Sequence, residues 1–420
     1  MRVNASSEID LMLIVRRIVI LLTLCGAGLA IYYLLVFARA DSLFRQNNLP
    51  SLRSSVLLVP AKAEYHALLG EFLEGSGLNP DNELAAATEL SPLESRFWIR
   101  RAFRAEVEQK FDDSERFLRK AVQVDNGFSP RAALMNYYFR RQNLPEFWKA
   151  ARAALQTAYT DRRAIFRLCF AVDDNVAVTR ALLPPGHPPL MQLLAFLMET
   201  GRLAQTADIA PAVASEAEPD DLSLLLGYVE QQTGKNYASA VAVWNALCAR
   251  HLVPFTPLSP DRGVVVTNGD FDGNIHRGFD WKIAAADGVA ISHSYTGGES
   301  VELNGKQPES MVLMEQPVPV MAGRSYSISW QYQLDGASGD SGLRWTLENG
   351  AIDAAPEQMP VAASATFGGT AWQTGQFAFT SDHSGIDRLR LEYRRAPATI
   401  RWKGTLQLRH VNAARAAGIP

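Results

Sequence analysis

The sequence predicts a multidomain chain: an N-terminal transmembrane helix, then an all-α solenoid of helical repeats, then an all-β antiparallel sandwich. Three observations predict it. An uncharged apolar run lies near the amino terminus, helical periodicity with internal repetition follows it, and strict period-two alternation fills the last third. At 420 residues the chain exceeds one ordinary domain. A hydrophobic fraction of 47% with 20% charged residues excludes a disordered chain and a multi-span membrane protein. The formal net charge of -3 points away from nucleic acid as a partner. Cys25, Cys169 and Cys248 stand too far apart for a disulfide framework.

Residues 18–38 read IVILLTLCGAGLAIYYLLVFA, and a helix of that length crosses a hydrocarbon core of roughly 30 Å. Arg16 and Arg17 precede it, and Tyr32, Tyr33 and Phe37 sit toward its far interface. A cleaved signal peptide is the competing reading, because Ala38-Arg39-Ala40 forms an A-x-A site; the apolar run is longer than a signal h-region of about 7–15 residues. A lipoprotein reading of Leu22-Thr23-Leu24-Cys25 fails, because position 24 is not small and apolar sequence continues past the cysteine. Arg39, Arg45 and Arg53 follow the helix and nearly balance Arg2, Arg16 and Arg17. The short 1–17 tail favours a cytoplasmic N-terminus, with the bulk of the chain beyond a bacterial inner membrane.

The expected division is a tail (1–17), the anchor (18–38), a Ser-, Leu- and Pro-containing linker (39–60), helical repeats (61–250), a second linker (251–263), the sandwich (264–412) and a tail (413–420). Within the repeats, Ala87, Leu90 and Pro92 are followed 34 residues later by Ala121, Val124 and Asn126. The segment from Ser95 to Asn126 resembles one tetratricopeptide repeat. Trp98, Ala102, Phe111, Leu118 and Ala121 then fall at that family's packing positions, with Arg101 in place of a usual Leu and Ser114 in place of a usual Ala. YHALLGEFLEG with NELAAATELSP resembles a shortened earlier repeat, and Gly227 to Gly234 keep the family spacing in a later one. LLPPGHPP (182–189) must break the array.

The resemblance implies stacked helix pairs with a groove for a protein partner, and puts Arg96, Ile99, Phe103, Glu106 and Val107 on its surface. Trp98, Trp148 and Trp244 read as packing residues, and Cys169 and Cys248 as core cysteines. A helical spacer with no partner is the plainer alternative.

Beyond the Pro-rich stretch the period becomes 2: Tyr326, Ile328, Trp330, Tyr332 and Leu334 alternate with Ser and Gln, and Leu343, Trp345 and Leu347 repeat the pattern. The landmarks NGDFD (268–272), GFDW (278–281), AWQTGQFAFT (371–380), RLRLEYR (388–394) and GTLQLRHV (404–411) together resemble the galactose-binding-like jelly roll of many carbohydrate-binding modules. That resemblance implies glycan binding and, at Asp270, a structural calcium. The closing strand Leu406-Gln407-Leu408-Arg409 lacks the family's carboxylate, and calcium wants several oxygen ligands. Asp270, Asp272 and Asn274 do not make an EF-hand loop, since Ile275 and Trp281 occupy its Gly and Glu positions.

Alternation puts Trp330, Trp345 and Trp402 in the core, and Trp372, just before a strand, resembles a packing residue of that family. Trp281 and Tyr295 are the loop aromatics left as candidate sugar platforms. Arg388, Arg390 and Arg394 share a strand face around Glu392. Should that strand pair with the one carrying Arg401 and Lys403, a basic stripe for an acidic polysaccharide or anionic lipid results; a solvated strand face is the alternative.

Gly339-Asp340-Ser341-Gly342 resembles a trypsin-like nucleophile motif but reads as a turn. No G-x-S-x-G, H-E-x-x-H, phosphate loop or C-x-x-C is present. The expectation is a non-catalytic scaffold that needs no cofactor and binds a glycan, a protein or both in exopolysaccharide assembly or export. A pure protein–protein adaptor and a glycan-processing enzyme are the alternatives.

Overall fold

A computed structural model describes residues 5–159, 161–273, 275–294, 297–336, 340–349, 361–368 and 370–416. The chain forms two compact units, Met1–Pro184 and Pro185–Pro420, which divide inside LLPPGHPP.

In the first unit, α1 (Ala5–Arg45) is one uninterrupted helix whose Leu13–Arg45 portion is long and apolar enough to cross a membrane. The expected linker at 39–60 is helical instead. Ala40 is fully buried with Val59 and Tyr65 against Val36, Phe44 and Val56. Asp41 accepts hydrogen bonds from Lys62 Nζ at 2.9 Å and from the Tyr65 hydroxyl. Asn48 caps α2 (Leu49–Leu58) by accepting from Ser51 N–H at 3.0 Å. The apolar residues at 52, 56 and 59 pack a helix here; Pro50 and Ser51 stand in its first turn, and the Ser54 and Ser55 hydroxyls donate back to Pro50 O and Leu52 O.

Helix pairs follow: α3 (Ala63–Gly75) with α4 (Asp81–Leu90), α5 (Ser95–Val107) with α6 (Phe111–Val124), and α7 (Phe128–Arg140) with α8 (Leu144–Thr157), before α9 (Arg163–Val172) and α10 (Val176–Arg180). The first helix of each of these three pairs ends on a left-handed residue: Gly77, Gln109 or Gln142. The next N–H then reaches back five residues: Leu78 to Leu73 O and Lys110 to Ala105 O at 2.8 Å, and Asn143 to Tyr138 O at 3.0 Å. Ala102, Leu118 and Ala121 are fully buried, as their repeat positions require. Arg101 fits a Leu position by stacking over Phe117 at 4.5 Å and donating to Thr88 Oγ1 at 2.9 Å. Ser114 is buried with its hydroxyl unpaired.

The second unit opens with α11 (His187–Glu199), α12 (Ile209–Ser215), α13 (Leu222–Gln232) and α14 (Tyr237–Ala249). Its strands are β1 (Lys282–Ile283), β2 (Val289–His293), β3 (Glu299–Asn304), β4 (Ser310–Val320), β5 (Ser325–Gly336), β6 (Leu343–Glu348), β7 (Val361–Thr366), β8 (Gln373–Thr380), β9 (Gly385–Arg394) and β10 (Lys403–Arg415). They form two five-stranded antiparallel sheets, β1-β4-β9-β6-β7 and β2-β3-β10-β5-β8. Inward positions of both sheets build one core around Trp281, Trp330 and Trp345, with Trp402 at its edge.

Residues 251–263, expected as a linker, are a packed strap. Asn245 exchanges hydrogen bonds with Leu258 N–H and C=O at 2.7 and 2.8 Å. Phe255 stacks on Trp244, and Phe279 meets the same indole edge-on. The last helix pair and the sandwich are therefore a single packed body rather than two domains on a tether.

Candidate functional site

The opening motif NGDFD is a clamp. Asn268 adopts a positive φ of 51°, and its side-chain amide donates to Gly273 O at 2.8 Å and to Asp280 Oδ1 at 2.7 Å. Asp280, fully buried, also accepts from His276 N–H at 2.8 Å. The Trp281 indole donates to Asn268 O at 3.0 Å and packs on Phe271 and Trp345. Only 1% of Trp281 is exposed, so the expected platform is a core residue with no ring face for a ligand. Tyr295, Asn274 and Gly339 lie outside the described residues. Ser341 is buried just before β6, and its hydroxyl accepts from Leu343 N–H at 3.3 Å.

Asp270 meets His410 on β10, whose backbone N–H donates to it at 3.2 Å and whose ring Nδ1 lies within hydrogen-bond reach. A histidine therefore bridges opening loop and closing strand where the resemblance implied calcium. One carboxylate already so engaged does not fit that ion's need for six to eight oxygens, and no group of three His, Cys, Asp or Glu suited to a metal occurs among the described residues.

The expected basic stripe does not form, because β9 and β10 lie in different sheets. Arg390 is 4% exposed and bonded to Glu315 at 3.1 Å and to Glu348. Burial holds the Glu348 carboxyl above the usual range, against the neighbouring guanidinium. Arg344 pairs with Glu392 at 3.0 Å, and Arg401 lies near Glu309. Arg394 is exposed at the strand end, and Arg388 is half-exposed 3.9 Å from Glu315. The face that sequence coloured basic is a mixed ion-pair lattice.

The outer face of the other sheet is different. Register places Ser292 beside Ser300, Ser300 beside Gln407, and Gln407 beside Gln333. With strands about 4.8 Å apart, this row of hydroxyls and amides spans about 14 Å. It continues on β8, where Tyr332 faces Gln373, so Trp372 stands next to Gln333. Trp372 is 38% exposed, whereas Trp281, Trp330, Trp345 and Trp402 are all buried. Arg409 lies 4.0 Å over the Trp372 ring and donates to Gln331 Oε1 at 3.0 Å. Below the row, Gln333, Asp335, Thr370, Thr405 and Gln407 line a depression of about 310 Å³.

Amides and hydroxyls offer donors and acceptors together, and an indole offers a flat apolar surface. That combination suits the hydroxyl rims and C–H faces of sugar rings. The family resemblance implied a packing role for Trp372. The overlooked signal is phase: Phe377 and Phe379 point inward, so strict alternation puts Trp372 outward. Gly375, also inward, leaves the space that Trp330 fills, since a Cβ there would lie 2.4 Å from its ring.

On the helical unit, α5 carries Ile99, Phe103 and Val107 at one-turn intervals, with Phe103 and Val107 exposed. Arg96 reaches Glu64 on α3 at 3.5 Å, and Glu106 accepts two hydrogen bonds from Arg140 on α7 at 2.8 and 2.6 Å. The five expected groove residues thus share one helix face: apolar along its centre, with its charges tied to flanking helices.

No protein-family model matches the chain, and no curated protein matches it. Among solved structures, a family 4 carbohydrate-binding module is similar at 17% identity over 36% of this chain and 98% of its own, with a TM-score of 0.28. The family 11 carbohydrate-binding module of Clostridium thermocellum, in complex with a mixed-linked β-1,3-1,4 tetrasaccharide, is similar at 13% identity over 37% of this chain and 96% of its own, with a TM-score of 0.24. PilF of Pseudomonas aeruginosa is similar at 11% identity over 51% of this chain and 90% of its own, with a TM-score of 0.26. At such scores the side-chain geometry, rather than likeness, carries the functional reading.

Proposed function

We propose that the chain is a non-catalytic, membrane-anchored binding protein of the bacterial envelope that holds a glycan on its sandwich and a protein partner on its helices. The observation that carries this is the row Ser292-Ser300-Gln407-Gln333 ending on the exposed Trp372. Covering the exposed part of that side chain, about 90 Å², would contribute about 2 kcal/mol. The anchor is residues 18–38 with a cytoplasmic N-terminus. The apolar run of residues 18–38, longer than a signal h-region of about 7–15 residues, supports an uncleaved anchor. Exopolysaccharide assembly or export is the setting such a tethered glycan binder would serve.

The full chain in detergent, run through gels containing neutral or acidic polysaccharides, tests the reading. Retardation by at least one polysaccharide, weakened about 30-fold by Trp372→Ala, is the expected result. No retardation by any of them, or the same retardation in the variant, refutes it. A ligand-free adaptor is the second reading, favoured by the exposed Phe103 and Val107; partner capture lost in Phe103→Asp with no glycan binding would select it.

A further inference from the structure

The second unit has another concave surface, between the turn joining α13 to α14 and the outer face of the β1-β4-β9 sheet. It encloses about 580 Å³, within the range of roughly 300–1,000 Å³ typical of small-ligand sites. Lys235 and Tyr237 line it from the helical side, and Lys282, Pro317, Ile386 and Arg388 from the sheet.

Its charges are unevenly committed. Glu230 is held by Arg277 through two hydrogen bonds at 3.0 and 3.1 Å, which keep its carboxyl below the usual range. Glu315 is held by Arg390 at 3.1 Å, leaving Arg388 a looser contact at 3.9 Å. His383 is occupied by Asp382 at 2.9 Å and Asp387 at 3.1 Å. Lys235 and Lys282 form no ion pair among the described residues, and the half-buried Tyr237 hydroxyl makes no hydrogen bond there. Glu230 and Glu315 are thus each hydrogen-bonded by another cation, while Lys282 acts on Glu230 only at longer range, Arg388 is loosely held, and Lys235 makes no close pair among the described residues.

We propose that this cleft is a second ligand site that takes a carboxylate-bearing saccharide, a uronic acid unit. The carboxylate would sit among Lys282, Arg388 and Lys235 and give them a close, hydrogen-bonded counter-charge. The ring would lie against Pro317 and Ile386, with Tyr237 free to bond a sugar hydroxyl. The site stands on different strands from the Trp372 face, so either can fail without the other.

Calorimetry on the full chain in nanodiscs of neutral lipid, with trigalacturonate as probe and maltotriose as the uncharged control, decides it. Wild type should bind trigalacturonate and not maltotriose here. The Lys282→Gln/Arg388→Gln pair should weaken binding at least tenfold, Lys235→Gln severalfold, and Trp372→Ala not at all. All these side chains are exposed or half-exposed, and unchanged melting shows that the variants fold. No binding by wild type, binding undiminished in both charge variants, or loss confined to Trp372→Ala would each overturn the proposal.

Discussion

Replacing Trp244 with Ala should destabilise the sandwich although the residue lies on a helix. The side chain is fully buried, stacked on Phe255 at 5.9 Å and met by Phe279 at 5.7 Å. Gly278, at a φ of +64°, approaches so closely that a Cβ there would lie 2.8 Å from the indole. Truncating a buried Trp to Ala costs about 3–5 kcal/mol, a large share of the roughly 5–15 kcal/mol that holds a domain together. At about 2–4 °C per kcal/mol for a unit of this size, melting should drop by about 6–20 °C. Trp244→Phe should cost much less, because the indole N–H has no hydrogen-bond partner to lose. Far-UV circular dichroism follows the helices, and near-UV circular dichroism follows the tryptophan cluster of the sandwich. Both transitions should fall together in Trp244→Ala. A near-UV transition that stays at its wild-type temperature while the helical signal falls would refute the single packed body.

Arg390→Ala strands the buried Glu348 and leaves Glu315 only its looser contact with Arg388, and should cost about 3–5 kcal/mol, read from denaturant midpoints. Since burial already raises the Glu348 pKa, its contribution favours the fold at low pH and is lost as pH rises, so the variant should regain stability on mild acidification; a deficit unchanged from neutral to acid pH contradicts this. The Glu230–Arg277 pair has the opposite sign: a lowered carboxyl pKa stabilises above about pH 4 and is lost as pH falls through its folded value. Glu230→Gln should therefore lower stability at neutral pH, by about 1 kcal/mol or less at this exposure, and converge with wild type in acid. Cys169 and Cys248 are buried with thiols pushed up to about 12, so a charged maleimide should modify neither until the chain unfolds. Rapid native labelling at either one would contradict their burial.

The architecture was legible because each of its parts has its own period. Ala102, Leu118 and Ala121 fall at buried repeat positions, and the alternating residues of β5 face the core as the pattern requires. Segments that carry Pro and Ser yet pack were not legible. Residues 49–58 read as linker yet form a capped helix, and 251–263 read as tether yet bury Val253 and Leu258. Composition reports solvation, whereas these segments are ordered by neighbouring elements: 49–58 by the Asn48 cap and by Phe44, Tyr65 and Leu69, and 251–263 by Trp244 and Asn245 on α14.

The site was the least legible part. Trp281 is in the core because Asn268 O accepts its indole proton, a contact no spacing rule reveals. The arginine stripe depended on β9 pairing with β10, and strand order overrode it. Trp372 was within reach of the phase of Phe377 and Phe379, but its neighbours Gln333, Gln407 and Ser300 come together only through register.

Fluorine NMR of the full chain labelled with fluorotryptophan, titrated with a polysaccharide that retards it, tests glycan binding at the outer sheet most directly. The Trp372 signal is assigned by its disappearance in Trp372→Phe. Added glycan should move that resonance and leave those of the buried Trp281, Trp330, Trp345 and Trp402 in place. A Trp372 signal that stays fixed while the glycan binds would contradict the assignment of this face.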